Sequence, residues 1–323
     1  MDKIRFLNVR QAEGVYADGI HDDTEALQHC FDQLRDGGTI YFPDGTYLLS
    51  AALIFYSHQK IKFSDHAVVI RSAVSQPITR YLLASYSEPD VPGFEGTHDV
   101  EISGGIFDGN AEVKEPITIM NTVHCRNIII DSCRFRHGCI WHYIEINGSK
   151  DVLIKNCVFD GHSYTVAPSN LCNEMIQYDH SIKGSYGPVY DYRGELIDFL
   201  SDGCRCEDVV VENCLFKCNG FPGIGHHNPT AHRNITIRNN VFDGPSGKDG
   251  GSRGYIIFMK EVRDVFVKDN AFISTIEEGL PAHALVINCP DEDACIVENN
   301  TFIGNFSERF VGGVMEKDNI FLP

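Results

Sequence analysis

Long apolar runs are missing from this sequence of 323 residues. Its apolar stretches, such as Ile128-Ile129-Ile130, are far shorter than the ~20 residues that a transmembrane helix needs, which argues against contact with a membrane interior. The start of the chain also lacks the apolar core and small-residue cleavage site of a signal peptide. We therefore expect a cytoplasmic protein, or a secreted one if a signal peptide has been removed.

Basic residues are few. Lys and Arg total 27 against 45 Asp and Glu, which gives a formal net charge of −18 at pH 7. Nucleic-acid binding needs a basic surface, so we expect no nucleic-acid partner. The charge also disfavours a strongly polyanionic substrate, because only a local basic groove could hold one inside an acidic field.

Cysteine pairs with the spacing of metal ligands are absent as well. The chain has 12 Cys but no CxxC pair, so we predict no structural zinc site and no cofactor. Cys133, Cys157 and Cys214 instead occupy one position of an internal repeat. This pattern favours small, reduced residues stacked in an interior over disulfides.

That internal repeat is the strongest signal present. Each copy has a charged residue followed by Asn or Asp, then alternating aliphatic residues, a polar corner and a phenylalanine. Alternation places one face of a strand inward, and Asn or Asp at a corner tolerates left-handed backbone geometry. Clear copies span 126–135, 150–159, 207–216, 233–242 and 263–272, and weaker copies end at Phe107 and Phe302.

The spacing of the repeat predicts the fold. Successive phenylalanines lie 24 to 30 residues apart, with one gap of 57, and this fits one turn of a right-handed parallel β-helix. The alternative of a two-sheet sandwich would need close hairpin turns such as Asn-Gly, which are scarce. We predict one all-β domain over 1–323, with an N-terminal cap at 1–50, coils at 51–303 and a C-terminal end at 304–323.

The cap is predicted to contain a short amphipathic helix. Asp22 would be its N-cap, Glu25 follows three residues later, and Gly37-Gly38 would end it. An apolar stripe on this helix would cover the open end of the solenoid, where strand edges are otherwise unpaired. The stripe consists of Leu27, Cys30, Phe31 and Leu34.

Three segments of the chain resemble a known superfamily. Residues 17–28 and 37–47 look like the opening of pectate-lyase-like proteins, which include polygalacturonases and phage tailspikes. Residues 102–109 are similar to the segment with which polygalacturonase-type hydrolases enter their central coils. The resemblance implies a right-handed parallel β-helix. It does not imply one reaction, since the superfamily contains hydrolases, lyases, epimerases and transferases.

Polar side chains on one outer strand of successive coils are the candidates for chemistry. Coils are ~4.8 Å apart and two residues of a strand span ~6.6 Å, so Glu145 and Asp179 would lie about 8 Å apart. That separation suits the acid/base pair of an inverting glycosidase. Two stacked columns are predicted: Asn147, Asp179, His227 and Lys260 in one, and Glu145, Gln177 and Gly225 in the other.

In this interpretation one carboxyl group protonates the leaving oxygen and the other activates water. His227 would tune Asp179 or hold a sugar hydroxyl, and Lys260 would anchor substrate or stabilise an anion. Polygalacturonase-like enzymes resemble this layout, but their strict motifs are absent, which argues against polygalacturonase activity itself. Other carboxylates are rival catalytic acids: Glu174, Asp191, Glu195, Asp198 and Asp202.

Two insertions, at 160–174 and 180–206, fill the gap of 57 residues and are expected to build a glycan-binding wall. Tyrosine rings there would stack on the apolar faces of sugars. His226 and His227 could also join Asp179 in a metal site, but adjacent strand residues face opposite ways, so only one would reach it. The predicted substrate contacts are Asn147, Gln177, Tyr186, Tyr190, Asp191, Tyr192, His226 and Arg253.

The preferred function is a glycoside hydrolase that acts on a neutral or mildly acidic oligosaccharide. A polysaccharide lyase and a fructan-type glycosyl transferase on the same scaffold stay open as alternatives. So does a non-catalytic glycan-binding or tailspike-like module. The expected partner is an oligosaccharide or polysaccharide, and a homodimer or homotrimer is also open.

Overall fold

The computed structural model describes residues 5–160, 174–218, 222–226, 231–244, 255–274, 283–289, 294–306 and 308–323. Over these residues the chain winds into a right-handed parallel β-helix, as the sequence predicts. Most turns add one strand to each of three sheets, named A, B and C. Strands of neighbouring coils pair in parallel, so each coil is buried by the next.

The elements are numbered in chain order. Sheet A comprises β1 Phe6–Asn8, β3 Gly38–Phe42, β6 Gln59–Phe63, β9 His98–Ser103, β12 Arg126–Asp131, β15 Lys150–Lys155, β20 Glu207–Glu212, β23 Arg233–Arg238, β26 Arg263–Lys268, β29 Cys295–Glu298 and β32 Met315–Lys317. Sheet B comprises β2 Asp18–Asp22, β4 Gly45–Leu49, β7 Ala67–Arg71, β10 Ile106–Asp108, β13 Arg134–Arg136, β16 Val158–Asp160, β21 Leu215–Lys217, β24 Val241–Asp243, β27 Ala271–Ser274, β30 Thr301–Gly304 and β33 Ile320–Leu322. Sheet C comprises β5 Leu53–Phe55, β8 Tyr81–Ser85, β11 Thr118–Val123, β14 Ile144–Asn147, β17 Ile176–Asp179, β22 Ile224–Gly225, β25 Tyr255–Lys260, β28 His283–Asn288 and β31 Glu308–Val311. The remaining elements are α1 Thr24–Gln33, a 3₁₀ turn Val9–Gln11, and the antiparallel pair β18 Val189–Tyr190 and β19 Leu196–Ile197.

The regular coils extend further than predicted at both ends. Strands β1 to β4 already belong to sheets A and B, although they lie within the predicted cap, and β31 to β33 form a further coil after residue 303. The first strand pairs in register, with Phe6 opposite Thr39. These coils lack the full repeat motif, and the sequence pattern therefore did not reveal them.

Helix α1 lies where the cap was expected but begins one residue later. Its N-cap is Asp23, not Asp22. The Asp23 carboxylate is buried and accepts the backbone N–H of Tyr16 at 2.6 Å, so it holds the preceding loop. Asp22 still accepts the backbone N–H of Thr24 at 3.0 Å. The apolar stripe is buried at Leu27, Cys30 and Phe31.

The seven predicted phenylalanines form one continuous stack inside the helix. Phe159 and Phe216 are direct neighbours with ring centroids 4.7 Å apart, so the gap of 57 residues is a single coil with insertions. Stacked rings at this spacing bury a large apolar area in every coil. The other centroid distances are 5.5 Å for Phe107–Phe135, 5.0 Å for Phe135–Phe159, 4.6 Å for Phe216–Phe242, 5.0 Å for Phe242–Phe272 and 4.9 Å for Phe272–Phe302.

The polar corners of the repeat behave as predicted. Asn156, Asn213 and Asn239 have φ angles of 55°, 54° and 56°, the left-handed region that asparagine tolerates. The next position points inward and carries Cys133, Cys157 and Cys214 in three successive coils, where all three are buried. The eleven cysteines in the described part of the chain are free thiols.

In the later coils asparagine replaces cysteine at this inward position. The side chain of Asn270 accepts the backbone N–H of Asn240 at 2.9 Å and donates to the carbonyl oxygen of Ile237 at 2.9 Å. Asn300 repeats the pattern one coil later. Each buried amide thereby satisfies backbone groups that the corner would leave unpaired.

Candidate active site

The outer face of sheet C carries both predicted columns of polar residues. Glu145 lies opposite Gln177, and Gln177 opposite Gly225, while Asn147 lies opposite Asp179. The predicted register is therefore confirmed over the described residues. The alternate positions face the interior and are buried: Ile144, Ile146, Ile176 and Tyr178.

These outer residues are not solvated. Glu145 is 3% exposed and Asp179 is 0% exposed, although both lie on the outside of the coil. Strand β11 extends the site by one coil, because Asn121 lies opposite Glu145 and is buried too. Carboxyl groups are seldom buried without partners, so the surroundings of this pair determine its chemistry.

A cover formed by the insertion 180–206 packs near this sheet. The backbone N–H of Gly187 donates to the hydroxyl of Tyr81 at 2.9 Å, and a Cβ on Gly187 would lie 3.0 Å from the Trp141 ring. The hairpin β18–β19 lies on this insertion, and the Tyr192 hydroxyl lies 3.3 Å from Nε2 of His29 on α1. The insertion thus reaches back to the N-terminal helix.

Glu145 has a strongly perturbed environment. Burial raises its pKa from 4.5 to about 8, and the charge of Asp179 contributes in the same direction. The Asn121 amide donates to Oε2 of Glu145 at 3.1 Å, which offsets part of the effect. Glu145 is therefore a neutral acid near pH 7, able to donate a proton.

Asp179 has the opposite environment, rich in hydrogen-bond donors. Its Oδ1 accepts the backbone N–H of His180 at 2.8 Å and faces Nδ1 of the same residue at 2.9 Å. Its Oδ2 accepts from Nε2 of Gln177 at 3.2 Å. These contacts hold both oxygens of the Asp179 side chain in fixed positions on the outer face of sheet C.

A third carboxyl group, that of Glu174, lies on the same face, beside the position of Gly225. A Cβ on Gly225 would lie 2.8 Å from Cγ and 3.1 Å from Oε1 of Glu174, so only glycine leaves room for this side chain. Gly225 is opposite Gln177, which places Glu174 in the column of Glu145. Glu174 is fully buried.

The raised pKa of Glu145 predicts a pH-dependent stability. Between pH 4.5 and about 8 the folded protein holds a proton that the unfolded chain has lost. The stabilisation that this proton gives to the folded state is complete below pH 4.5 and is lost as the pH rises through 8. Over this range the free energy of unfolding falls by up to about 1.4 kcal/mol per pH unit. Urea denaturation at pH 5.5, 6.5 and 7.5 should show the wild-type free energy of unfolding falling relative to Glu145→Gln. Parallel profiles of the two proteins would contradict the assignment.

The structure places the predicted substrate contact His226 inside the coil. His226 is buried, its Nε2 accepts the backbone N–H of Lys260 at 2.6 Å, and its ring lies 5.3 Å from Tyr178. It therefore faces the interior, since strand residues alternate in direction. His227 and Arg253 lie outside the described residues.

One group of side chains beside the site has metal-ligand spacing. Asp179, His180 and His232 each offer an atom within 4.8 Å of the others. Nδ1 of His232 accepts the backbone N–H of Cys206 at 3.0 Å, and burial lowers the pKa of His232 well below its usual range. We interpret His180 as the partner that orients Asp179, because its ring bonds the carboxylate directly.

The predicted residues of the insertion have different roles. Asp191 accepts the backbone N–H groups of Arg193 and Glu195, both at 2.9 Å, so it shapes the hairpin turn. Tyr186 packs against Phe199, with ring centroids 5.5 Å apart. Tyr190 is half exposed. Tyr186 thus packs within the insertion, Asp191 holds its hairpin turn, and Tyr190 is open to solvent.

The rival acids Asp198 and Asp202 and the predicted Lys260 have contacts different from those of Glu145 and Asp179. Asp202 accepts the backbone N–H of Gly93 at 2.8 Å, and Asp198 accepts the backbone N–H of Phe199 at 3.0 Å. Lys260 is exposed, with Nζ 5.0 Å from the Phe258 ring. Phe258 lies opposite Gly225, so Lys260 belongs to the next coil of the same face.

Sequence reasoning missed four residues of the site. Asn121 lies on a strand without the repeat motif, although its register with Glu145 would have identified it. Tyr81 and Trp141 meet the insertion only through contacts distant in sequence. His180 follows Asp179 directly, and its contact with the Asp179 carboxylate appears only in the structure, where β17 ends at Asp179.

A family model agrees with the fold described above. The model of rhamnogalacturonase A/epimerase, pectate-lyase-like proteins matches residues 6–69, which include the first coils and α1. This match covers a fifth of the chain and agrees with the resemblance seen in the sequence.

Known proteins similar to this chain include both adhesins and enzymes. Plasmin and fibronectin-binding protein A of Streptococcus pneumoniae is 28% identical in an alignment of 286 residues, and the match covers 80% of this chain and 38% of that protein. The chain thus spans less than half of this relative. The crystal structure of PfbA, a surface adhesin of Streptococcus pneumoniae, matches with a TM-score of 0.65 at 20% identity, over 98% of this chain and 91% of that one. An alginate lyase from a Paenibacillus species matches with a TM-score of 0.63 at 12% identity, over 91% and 95%.

The solved structures confirm the parallel β-helix fold, the family model agrees with the pectate-lyase-like resemblance over residues 6–69, and the reaction stays open. Proteins of this fold include polysaccharide-degrading enzymes and a bacterial adhesin. None of these comparisons supports the cytoplasmic location expected from the sequence, and one similar protein is a surface adhesin. No helix in the described part of the chain has the length and apolarity to cross a membrane.

Proposed function

We propose that this pectate-lyase-like β-helix protein is a glycoside hydrolase that cleaves an oligosaccharide with Glu145 as general acid and Asp179 as general base. One observation carries the proposal: two neighbouring buried carboxyl groups have opposite environments. Glu145 has its pKa raised to about 8, whereas Asp179 accepts hydrogen bonds from Gln177 and His180. Carboxyl pairs of this kind divide the acid and base roles of glycoside hydrolysis.

In the proposed reaction the two carboxyl groups have different roles. Glu145 transfers its proton to the glycosidic oxygen as the bond from that oxygen to the anomeric carbon breaks. Asp179 takes a proton from the water molecule whose oxygen forms the new bond to the anomeric carbon. Strand spacing places the two residues about 8 Å apart, which leaves room for this water and predicts inversion at the anomeric carbon.

Polar groups beside the pair are suited to hold sugar hydroxyls. Oδ1 of Asn121 and Oε1 of Gln177 are buried and accept no hydrogen bond from the described residues. Buried amide oxygens left unpaired cost stability, and a hydroxyl-rich ligand would satisfy them. Because the pair is almost fully buried, substrate entry requires the cover around Tyr81 and Trp141 to move.

A non-catalytic binding module is the second candidate, and one observation favours it. The relative in Streptococcus pneumoniae is named for binding plasmin and fibronectin, and a surface location would suit either function. In this case the carboxyl pair would be a buried structural feature. A lyase or transferase on the same scaffold would use the same face but would not add water to its products.

Asp179→Asn tests the proposal directly. We expect it to lower hydrolysis of a responsive oligosaccharide by a factor of about 10²–10⁴, because an amide cannot accept the proton of water. Asp198→Asn is the matched control, since it makes the same change at an exposed carboxylate of the insertion. Rates should be measured by reducing-end release. Equal loss in both variants, or full activity of Asp179→Asn, would contradict the assignment.

A further inference from the structure

A second cluster of ligating side chains lies at the surface corner between sheet C and sheet A, after β5 and at the start of β6 and β9. His58 precedes β6, while His98 and Asp99 begin β9. The register of Lys60 with Glu101 places His58 directly opposite Asp99 on the neighbouring coil. Their φ angles are 63° and 57°, so both backbones are held in the left-handed region and project their side chains from one corner.

The distances in this cluster match metal coordination better than an ion pair. Potential ligand atoms of the three residues lie within 4.8 Å of one another. Nδ1 of His58 and Oδ2 of Asp99 are 3.3 Å apart, beyond the ~2.7–2.9 Å of a charge-assisted hydrogen bond. Two ligands at 2.0–2.1 Å from a tetrahedral ion are separated by about 3.3–3.4 Å. The pair therefore already has the spacing of two corners of a tetrahedron.

Neighbouring groups orient two of the three side chains. Nδ1 of His98 lies 3.0 Å from the carbonyl oxygen of Gly96, which fixes the ring and leaves Nε2 as its ligand atom. Oδ1 of Asp99 accepts from the Asn127 amide at 2.5 Å, which leaves Oδ2 for an ion. Metal-binding histidines and carboxylates are commonly held by such second hydrogen bonds.

The chemistry of the donors narrows the ion. Two imidazoles and one carboxylate suit zinc, nickel or copper, whereas calcium and magnesium prefer sets of oxygen ligands. The side chains of His58 and Asp99 are 55% and 46% exposed, so an ion can enter from solvent and keep water as its fourth ligand. An exposed His–Asp pair alone would add little stability.

We propose that His58, His98 and Asp99 form a surface site for a divalent transition-metal ion such as Zn²⁺. The site goes beyond the proposed hydrolase function and shares no residue with it. An ion there would link the coils of β6 and β9, because its ligands come from both.

Titration of metal-free protein with Zn²⁺ by isothermal calorimetry tests the site. Wild type is expected to bind one equivalent at this site and to gain thermal stability with Zn²⁺. His58→Gln and Asp99→Asn should each weaken that binding at least tenfold and remove the gain. Asp99→Asn tolerates the left-handed backbone, so it keeps the fold. His21→Gln is the matched control, because His21 is also exposed and pairs with a single aspartate at 2.7 Å.

Three results would overturn the proposal. One is the absence of Zn²⁺ binding by wild type at 100-fold molar excess. Another is unchanged binding in both His58→Gln and Asp99→Asn, which would place the ion elsewhere. The third is an equal loss in His21→Gln, which would indicate unspecific surface binding. None of these results depends on glycosidase activity.

Discussion

Replacement of Glu145 by glutamine is expected to lower hydrolysis of an unactivated oligosaccharide by a factor of about 10²–10⁴ while leaving the fold intact. Burial raises the pKa of Glu145 to about 8, so near neutral pH the side chain is uncharged and an amide has the same charge and nearly the same shape. The amide cannot donate a proton to the leaving oxygen. Wild-type kcat/KM should also fall as pH rises above about 8, where Glu145 ionises.

The nature of the leaving group separates the two roles. A substrate with an acidic phenol as leaving group needs little protonation, so Glu145→Gln should retain most activity on it, whereas Asp179→Asn should not. Glu195→Gln is the matched control, because it makes the same change at an exposed carboxyl group of the insertion. Full activity of Glu145→Gln on the unactivated oligosaccharide would remove Glu145 from the mechanism.

Phe159→Ala is expected to lower the free energy of unfolding by about 3–5 kcal/mol. The ring is fully buried and lies between Phe135 and Phe216, with centroid distances of 5.0 Å and 4.7 Å. Its removal leaves a cavity with rigid rings on both sides, which cannot close without shifting two coils. This position also joins the coil that carries the insertions to the coil before it.

Phe6→Ala provides the comparison, because this ring is 56% exposed and packs on one face only. Urea denaturation followed by circular dichroism should show less than about 1 kcal/mol for Phe6→Ala. Similar losses in the two variants would mean that the phenylalanine stack is not the main source of stability in the central coils.

The repeat made most of the fold predictable. Alternating aliphatic residues, an asparagine corner and a phenylalanine are local features, and each determines a strand, a turn and an inward ring. The same period of two gave the register of Glu145, Gln177 and Asp179 correctly. Where the motif is incomplete, as in β1 to β4, the sequence pattern does not predict the coils that the structure contains. Backbone pairing between strands needs no particular side chain.

The environment of the site was not predictable in the same way. The insertion is held near sheet C by contacts between parts of the chain far apart in sequence, such as Gly187 with Tyr81. The place of Glu174 depends on the missing side chain of Gly225, a steric relation that no local pattern shows. The orientation of His226 depends on register in β22, where the pattern was weakest.

Mass spectrometry of products formed in isotopically labelled water tests the central claim most directly. A panel of oligosaccharides should be incubated with wild type and with Glu145→Gln. The account predicts that one product of each pair carries a single heavy oxygen atom at its anomeric carbon, and that Glu145→Gln forms far less of it. Products without heavy oxygen, or binding of glycans with no turnover on any member of the panel, would contradict a hydrolase built on Glu145 and Asp179.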